Sequence, residues 1–97
     1  MIRSFADQET EDIFHGRRSK KALKRLSVSL WRIAYRKLTM LEAAGNLDDL
    51  KVPPSNHLEK LKGSLKGYCS IRINDQWRII FLWEDKVATN VQIIDYH

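Results

Sequence analysis

The stretch from Leu61 to His97 reads LKGSLKGYCSIRINDQWRIIFLWEDKVATNVQIIDYH. It contains three runs rich in β-branched and aromatic residues, separated by Asn74-Asp75 and Asp85-Lys86, which suit tight turns. From Tyr68 to Asn74 the residues alternate, with Cys69, Ile71 and Ile73 on one face and Tyr68, Ser70 and Arg72 on the other. Trp77 to Trp83 is apolar on both faces apart from Arg78, as a strand in the middle of a sheet would be. Val87 to Asp95 forms the last strand. Three consecutive strands joined by short turns predict an antiparallel sheet.

Upstream the period changes. Pro53-Pro54 interrupts regular structure, and before it the apolar residues fall at helical spacing. Asp7 is placed to cap a first helix, with Glu9 and Glu11 in its first turn and Gly16 near its end. Ser19 is placed to cap a second, longer helix. Leu23, Leu26, Leu30, Ile33, Ala34, Leu38 and Leu41 make its apolar face, and Gly45 ends it. Leu47 to Leu50 adds one helical turn. Met1 to Phe5, with Ile2 and Phe5 among polar neighbours, reads as a short strand at a sheet edge. The expected fold is α+β: two N-terminal helices packed on a small, mainly antiparallel sheet, in a single domain over residues 1–97. The sequence contains no internal repeat or low-complexity segment.

The 97 residues are 43% hydrophobic and carry a net charge of +5 with a pI of about 9.6. That balance favours an anionic partner, either nucleic acid or an acidic protein segment. Cys69 is the single cysteine. It excludes an internal disulfide, a zinc finger and a Cys-x-x-Cys redox site, and its place in a strand predicts a small buried side chain. His15 and His57 have no metal-ligand spacing with each other or with Cys69, so neither a metal site nor a cofactor is expected. The N-terminus lacks the apolar run of a signal peptide, and no stretch is long enough for a membrane span. A cytoplasmic protein without a membrane partner is expected.

Four groups of residues carry possible chemistry. Between Arg17 and Lys37 there are nine Lys or Arg and no acid. On a continuous helix, Lys21, Arg25, Arg32 and Arg36 share the face opposite the leucines. They would attract phosphates or an acidic partner, whereas a merely solvated face usually mixes signs. Trp31 and Tyr35 read as packing residues. Arg72 and Arg78 flank Asn74-Asp75-Gln76. A three-residue loop would set them directly opposite, where like charges repel until an anion binds between them. A two-residue loop would turn them apart. Asp95-Tyr96-His97 offers a proton-transfer group near neutral pH, and a tyrosine that can orient a group or stack on a base. A frayed end is the plainer reading of that tripeptide taken alone. Glu59 and Lys62, just before the strands, are surface charges by default. If their segment lies along the sheet, Glu59 becomes a candidate base and Lys62 a candidate phosphate ligand.

Together, Leu61-Lys62-Gly63, Lys66-Gly67-Tyr68-Cys69-Ser70-Ile71, Asn74-Asp75-Gln76-Trp77-Arg78-Ile79-Ile80-Phe81 and Asp95-Tyr96-His97 resemble the HigB toxins. These belong to the RelE/ParE superfamily of toxin–antitoxin systems and include the plasmid maintenance killer proteins. Met1 to Phe5 fits as well, so the resemblance covers nearly the whole chain, although the helices are generic. It implies a RelE-like, microbial-RNase-like fold and a metal-independent endoribonuclease that cuts mRNA on the ribosome. The implied partners are the ribosome, mRNA and a HigA-type antitoxin, with operator DNA reached only through the antitoxin. On matching positions, Arg78 would stabilise the transition state and His97 would transfer a proton. Asp95 and Tyr96 would shape the site, with Lys62 and Lys66 on phosphate. Arg72 joins this set from the hairpin argument, and Arg25, Arg32 and Arg36 from the basic stripe. In one respect the chain departs from the family. Several members have Leu-His-Pro-Leu-Lys-Gly where this chain has Leu58-Glu59-Lys60-Leu61-Lys62-Gly63. If that histidine is the base, Glu59 replaces it or activity falls, because a carboxylate among cations is a poorer base near neutral pH. The alternative is a non-enzymatic toxin of the same fold that poisons another target such as DNA gyrase.

Overall fold

The computed structural model describes residues 1–96. Asp7 has extended backbone and accepts the Thr10 amide at 2.8 Å, starting helix α1 (Gln8–Phe14) with Glu9 and Glu11 in its first turn. Gly16, at a φ of 71°, turns the chain after it. Ser19 accepts the Ala22 amide at 3.2 Å and starts α2 (Lys20–Arg25). The periodicity predicts one helix from here to Gly45, but the structure breaks it. A short 3₁₀ turn, Val28–Leu30, separates α2 from α3 (Trp31–Ala43), so the chain has three helices before the sheet. Leu26 swings to extended backbone, and its carbonyl accepts the indole N–H of Trp31 at 2.9 Å. The Ser27 and Ser29 hydroxyls bond each other at 3.0 Å, and serine is a weaker helix former than alanine or leucine. The apolar spacing survives only in part: Leu23, expected on the buried face, is 43% exposed and α2 buries Ala22 instead, while α3 buries Ala34, Leu38 and Leu41 as expected.

Among the described residues the sheet has four antiparallel strands in sequence order: β1 (Glu59–Lys60), β2 (Cys69–Arg72), β3 (Trp77–Glu84) and β4 (Val87–Asp95). β3 is the inner strand expected of it. Asp85 and Lys86, both at positive φ (52° and 66°), make the two-residue turn into β4. Met1 to Phe5 lies along the outer edge of β4, with parallel bridges Ile2–Ala88 and Phe5–Val91. The helices cover one face of the sheet. Ile13, Ala34, Leu38 and Leu41 meet Ile71, Ile79, Phe81, Val91 and Ile93 there, each buried to 1% exposure or less. Burying a large apolar side chain contributes roughly 1.5–3 kcal/mol, so this one layer supplies most of the driving force. The outer face, away from the helices, carries Ser70, Arg72 and Arg78. Among the described residues, no helix is long and apolar enough to cross a membrane.

Two cations of the basic run turn inward. Lys37 is buried, and its ammonium donates to Asn56 Oδ1. Burial, reinforced by the neighbouring Arg36, lowers its pKa. Arg25 ties three elements together, donating to Asp7 at 2.7 Å, to Glu9 at 2.9 Å and to the Ile93 carbonyl at 2.9 Å. Burial pushes the Asp7 carboxyl up, but hydrogen bonds from Arg25 and Thr10, with the Arg25 charge, leave it below its ordinary value of 3.8. A carboxylate depressed on folding stabilises the fold above its unfolded pKa, and that stability fades as pH falls through the folded value. Asp7→Asn keeps the cap oxygen and loses the charge. The variant should be less stable than wild type by about 1 kcal/mol at neutral pH. In urea titrations the gap should begin to close near pH 3.8 and narrow further below it. A gap that stays constant into acid would mean the ion pair contributes nothing.

Candidate active site

The outer face of the sheet is organised by strand register. The Ile73 amide donates to the Trp77 carbonyl at 2.9 Å, leaving Asn74-Asp75-Gln76 as a three-residue loop. Arg72 therefore stands directly opposite Arg78. The Asn74 side chain closes the loop by accepting the amides of Gln76 at 2.9 Å and Trp77 at 2.8 Å. The two guanidiniums are engaged by separate partners. Arg72 donates from Nε to the Asn74 carbonyl at 3.2 Å and pairs through Nη2 with Asp75. Arg78 turns toward β1.

Nη1 of Arg78 donates to Glu59 Oε1 at 2.7 Å and to Ser70 Oγ at 3.1 Å. The Tyr96 ring lies 4.8 Å from the same guanidinium carbon, in cation–π range. Glu59 reaches this position because β1 pairs with β2, setting Glu59 opposite Ser70. The Arg78 side chain is 15% exposed and that of Glu59 46%, so an anion arriving from solvent meets the carboxylate first. Ser70 is fully buried. The arrangement presents a fixed cation with a more exposed carboxylate beside it and an aromatic plane along its flank. Such a set can bind a phosphodiester and move a proton close to it.

Other predicted residues fall elsewhere. Asp95 pairs with Trp77 rather than with Arg78, so alternation puts its side chain on the helix side of the sheet. There it accepts from Gln76 Nε2 at 3.0 Å, while the Tyr96 amide donates to the Gln76 carbonyl at 2.7 Å. Gln76 thus holds the end of β4 beside the hairpin loop, a positioning role that its bare place in a turn did not reveal. His97 lies outside the described residues. Lys62 is exposed at the start of a 3₁₀ turn, Gly63–Leu65. Lys66 lines a separate cleft on the helix side of the sheet. Arg32 and Arg36 are exposed on α3, also behind the sheet, where they edge a surface groove with Tyr35, Thr39, Met40 and Ala43. Trp31 is buried as expected, but Tyr35 is 52% exposed, resting against Phe14 at 6.1 Å. Cys69 is buried, and burial pushes its thiol pKa up. The structure thus brings together Glu59, Ser70, Arg72, Arg78 and Tyr96, and leaves the α-helical arginines on the far side.

Solved structures share this architecture. A mutant of YafQ from Escherichia coli aligns at a TM-score of 0.64 with 20% identity, covering 98% of this chain and 93% of that one. A chain of the YoeB–YefM complex from Staphylococcus aureus aligns at 0.61 with 18% identity over 100% and 98%. These likenesses show a shared α+β fold. At the level of sequence, Toxin HigB-1 of Vibrio cholerae serotype O1 is 40% identical over 93 residues, spanning 96% of this chain and 95% of that protein. The family described as RelE-like toxin of type II toxin-antitoxin system HigB matches residues 3–97, and the chain belongs to it.

Proposed function

We propose that this toxin is a metal-independent endoribonuclease that cuts mRNA on the ribosome and is held inactive by a HigA-type antitoxin. The observation that carries the reading is Arg78 on the outer sheet face, bonded to Glu59 and Ser70 with the Tyr96 ring beside it. An RNA phosphodiester would displace the Glu59 carboxylate from the guanidinium. The released carboxylate would take the proton of the 2′-hydroxyl, whose oxygen attacks phosphorus. The bond to the 5′-oxygen breaks, that oxygen gains a proton from His97, and a 2′,3′-cyclic phosphate remains. Arg78 would stabilise the charge on the crowded phosphorus throughout. Arg72, opposite Arg78, would hold a neighbouring phosphate, and Lys62 another. The ribosome would supply the orientation of the message that so small a site lacks, and orientation contributes several kcal/mol to such barriers. One solved neighbour is a heterotetrameric YoeB–YefM toxin–antitoxin complex, which supports an antitoxin partner here. Operator DNA would be reached only through that partner, and the toxin would act in the cytoplasm.

The test is cleavage of mRNA on programmed ribosomes by the purified chain. Ribosome-dependent cutting is the expected result. Toxicity in cells without cutting would instead favour a toxin that works by binding another target. Glu59→His adds a second check. It removes the carboxylate that occupies Arg78 and supplies a base better matched to neutral pH, so cleavage should rise by about tenfold. An equal or lower rate would count against Glu59 as the weak point of the site.

A further inference from the structure

Behind β1, on the helix side of the sheet, lies a cleft of about 490 Å³ lined by Leu47, Lys60, Leu61, Lys66, Gly67, Tyr68, Cys69 and Trp83. Its chemistry is of two kinds. Tyr68, which precedes β2 and so falls outside the alternation expected of it, and Trp83 supply partly exposed aromatic surface, with Trp83 braced edge-on by Phe81 at 6.4 Å. Lys60 and Lys66 supply two exposed amines, and neither makes an ion pair among the described residues. No carboxylate lines the cleft among the described residues. Aromatic faces beside unpaired amines are the elements with which proteins hold a single nucleotide, the base stacked and the phosphate on the amines.

The position of the cleft adds to this. Lys60 follows Glu59 in β1, and successive side chains in a strand point to opposite faces. Glu59 faces Arg78, so Lys60 faces the cleft. β1 is the outermost strand, two residues long, with its other edge unpaired among the described residues. A strand of RNA crossing Arg78 therefore needs only to round that short edge to reach the cleft.

We infer that this cleft is a ribonucleotide subsite that takes a nucleotide flanking the one at Arg78 and contributes base preference. The assignment rests on the RNA-cleaving reading for its biological meaning, but not for its test. Each of the four nucleoside 5′-monophosphates is titrated into ¹⁵N-labelled protein, with inorganic phosphate as a control. Shifts should concentrate on the amides of residues 60–69 and the Trp83 indole, differ among the four bases, and be much weaker with phosphate, which lacks a base to stack. The double variant Lys60→Ala/Lys66→Ala should weaken binding by about tenfold, and Tyr68→Ala similarly. Arg78→Ala should leave the cleft shifts in place, so a failure of the catalytic reading is separable from a failure of the subsite. Shifts confined to the Arg78 face, equal shifts with phosphate, or no shifts at all would overturn the subsite. So would cleft shifts produced only by an acidic, apolar peptide, which would make the cleft a protein-docking site.

Discussion

Arg78→Ala should lower ribosome-dependent mRNA cleavage by about 10²–10³-fold, the scale of removing one preorganised donor from a transition state. The loss should fall on the rate of cutting more than on ribosome binding, because in the proposed mechanism the guanidinium meets the charge that develops on the phosphate. Folding should change little. Glu59, the lost partner, is 46% exposed and can turn to water, so the pair contributes about 0–1 kcal/mol to stability. Ser70 is the exception, since its buried hydroxyl loses the bond from Arg78. Circular dichroism and a urea melt on the variant separate the two effects. Arg78→Lys should recover only part of the activity, since an ammonium keeps the charge but not the fork that grips two oxygens. Full cleavage by Arg78→Ala would remove the residue on which the catalytic reading rests.

Phe81→Ala should be the most damaging single core change, at about 3–5 kcal/mol. Phe81 has no exposed surface, sits on the inner strand opposite Cys69 and braces Trp83. Domains of this size are stable by only about 5–15 kcal/mol, so the variant would sit near the edge of unfolding at physiological temperature. Phe81→Leu keeps most of the volume and should cost about 1.5 kcal/mol or less after repacking. Urea unfolding followed by tryptophan fluorescence measures both. A loss below about 1 kcal/mol for the alanine variant would mean that the sheet collapses around the gap.

The sheet was legible because its signals are local. Alternation from Cys69 to Ile73 assigns the faces of β2, and the continuous apolar run marks β3 as an inner strand, without reference to the rest of the chain. The conditional argument about Arg72 and Arg78 needed only the loop length, which the Asn74 side chain settles by closing three residues. What the sequence concealed is tertiary. The break between α2 and α3 depends on the Trp31 indole reaching the Leu26 carbonyl, while the leucine spacing runs on across it. β1 is too short for any period to show, yet it is the strand that delivers Glu59 to Arg78. Ser70 read only as one member of an alternating face. Its role depends on a diagonal contact across the sheet. Arg25 read as part of a cationic stripe because its acids, Asp7 and Glu9, lie on another helix.

The brevity of β1 also bears on how the chain behaves at high concentration. A sheet edge with free amides and carbonyls invites another molecule to extend it, and long apolar edges do so readily. Here the edge beyond β4 is occupied by the residues around Ile2 and Phe5. The opposite edge offers only two residues, one acidic and one basic. The charges that face the two sides of β1 therefore also discourage polymerisation. Replacing them with β-branched apolar residues would put solubility at risk before it disturbed the fold.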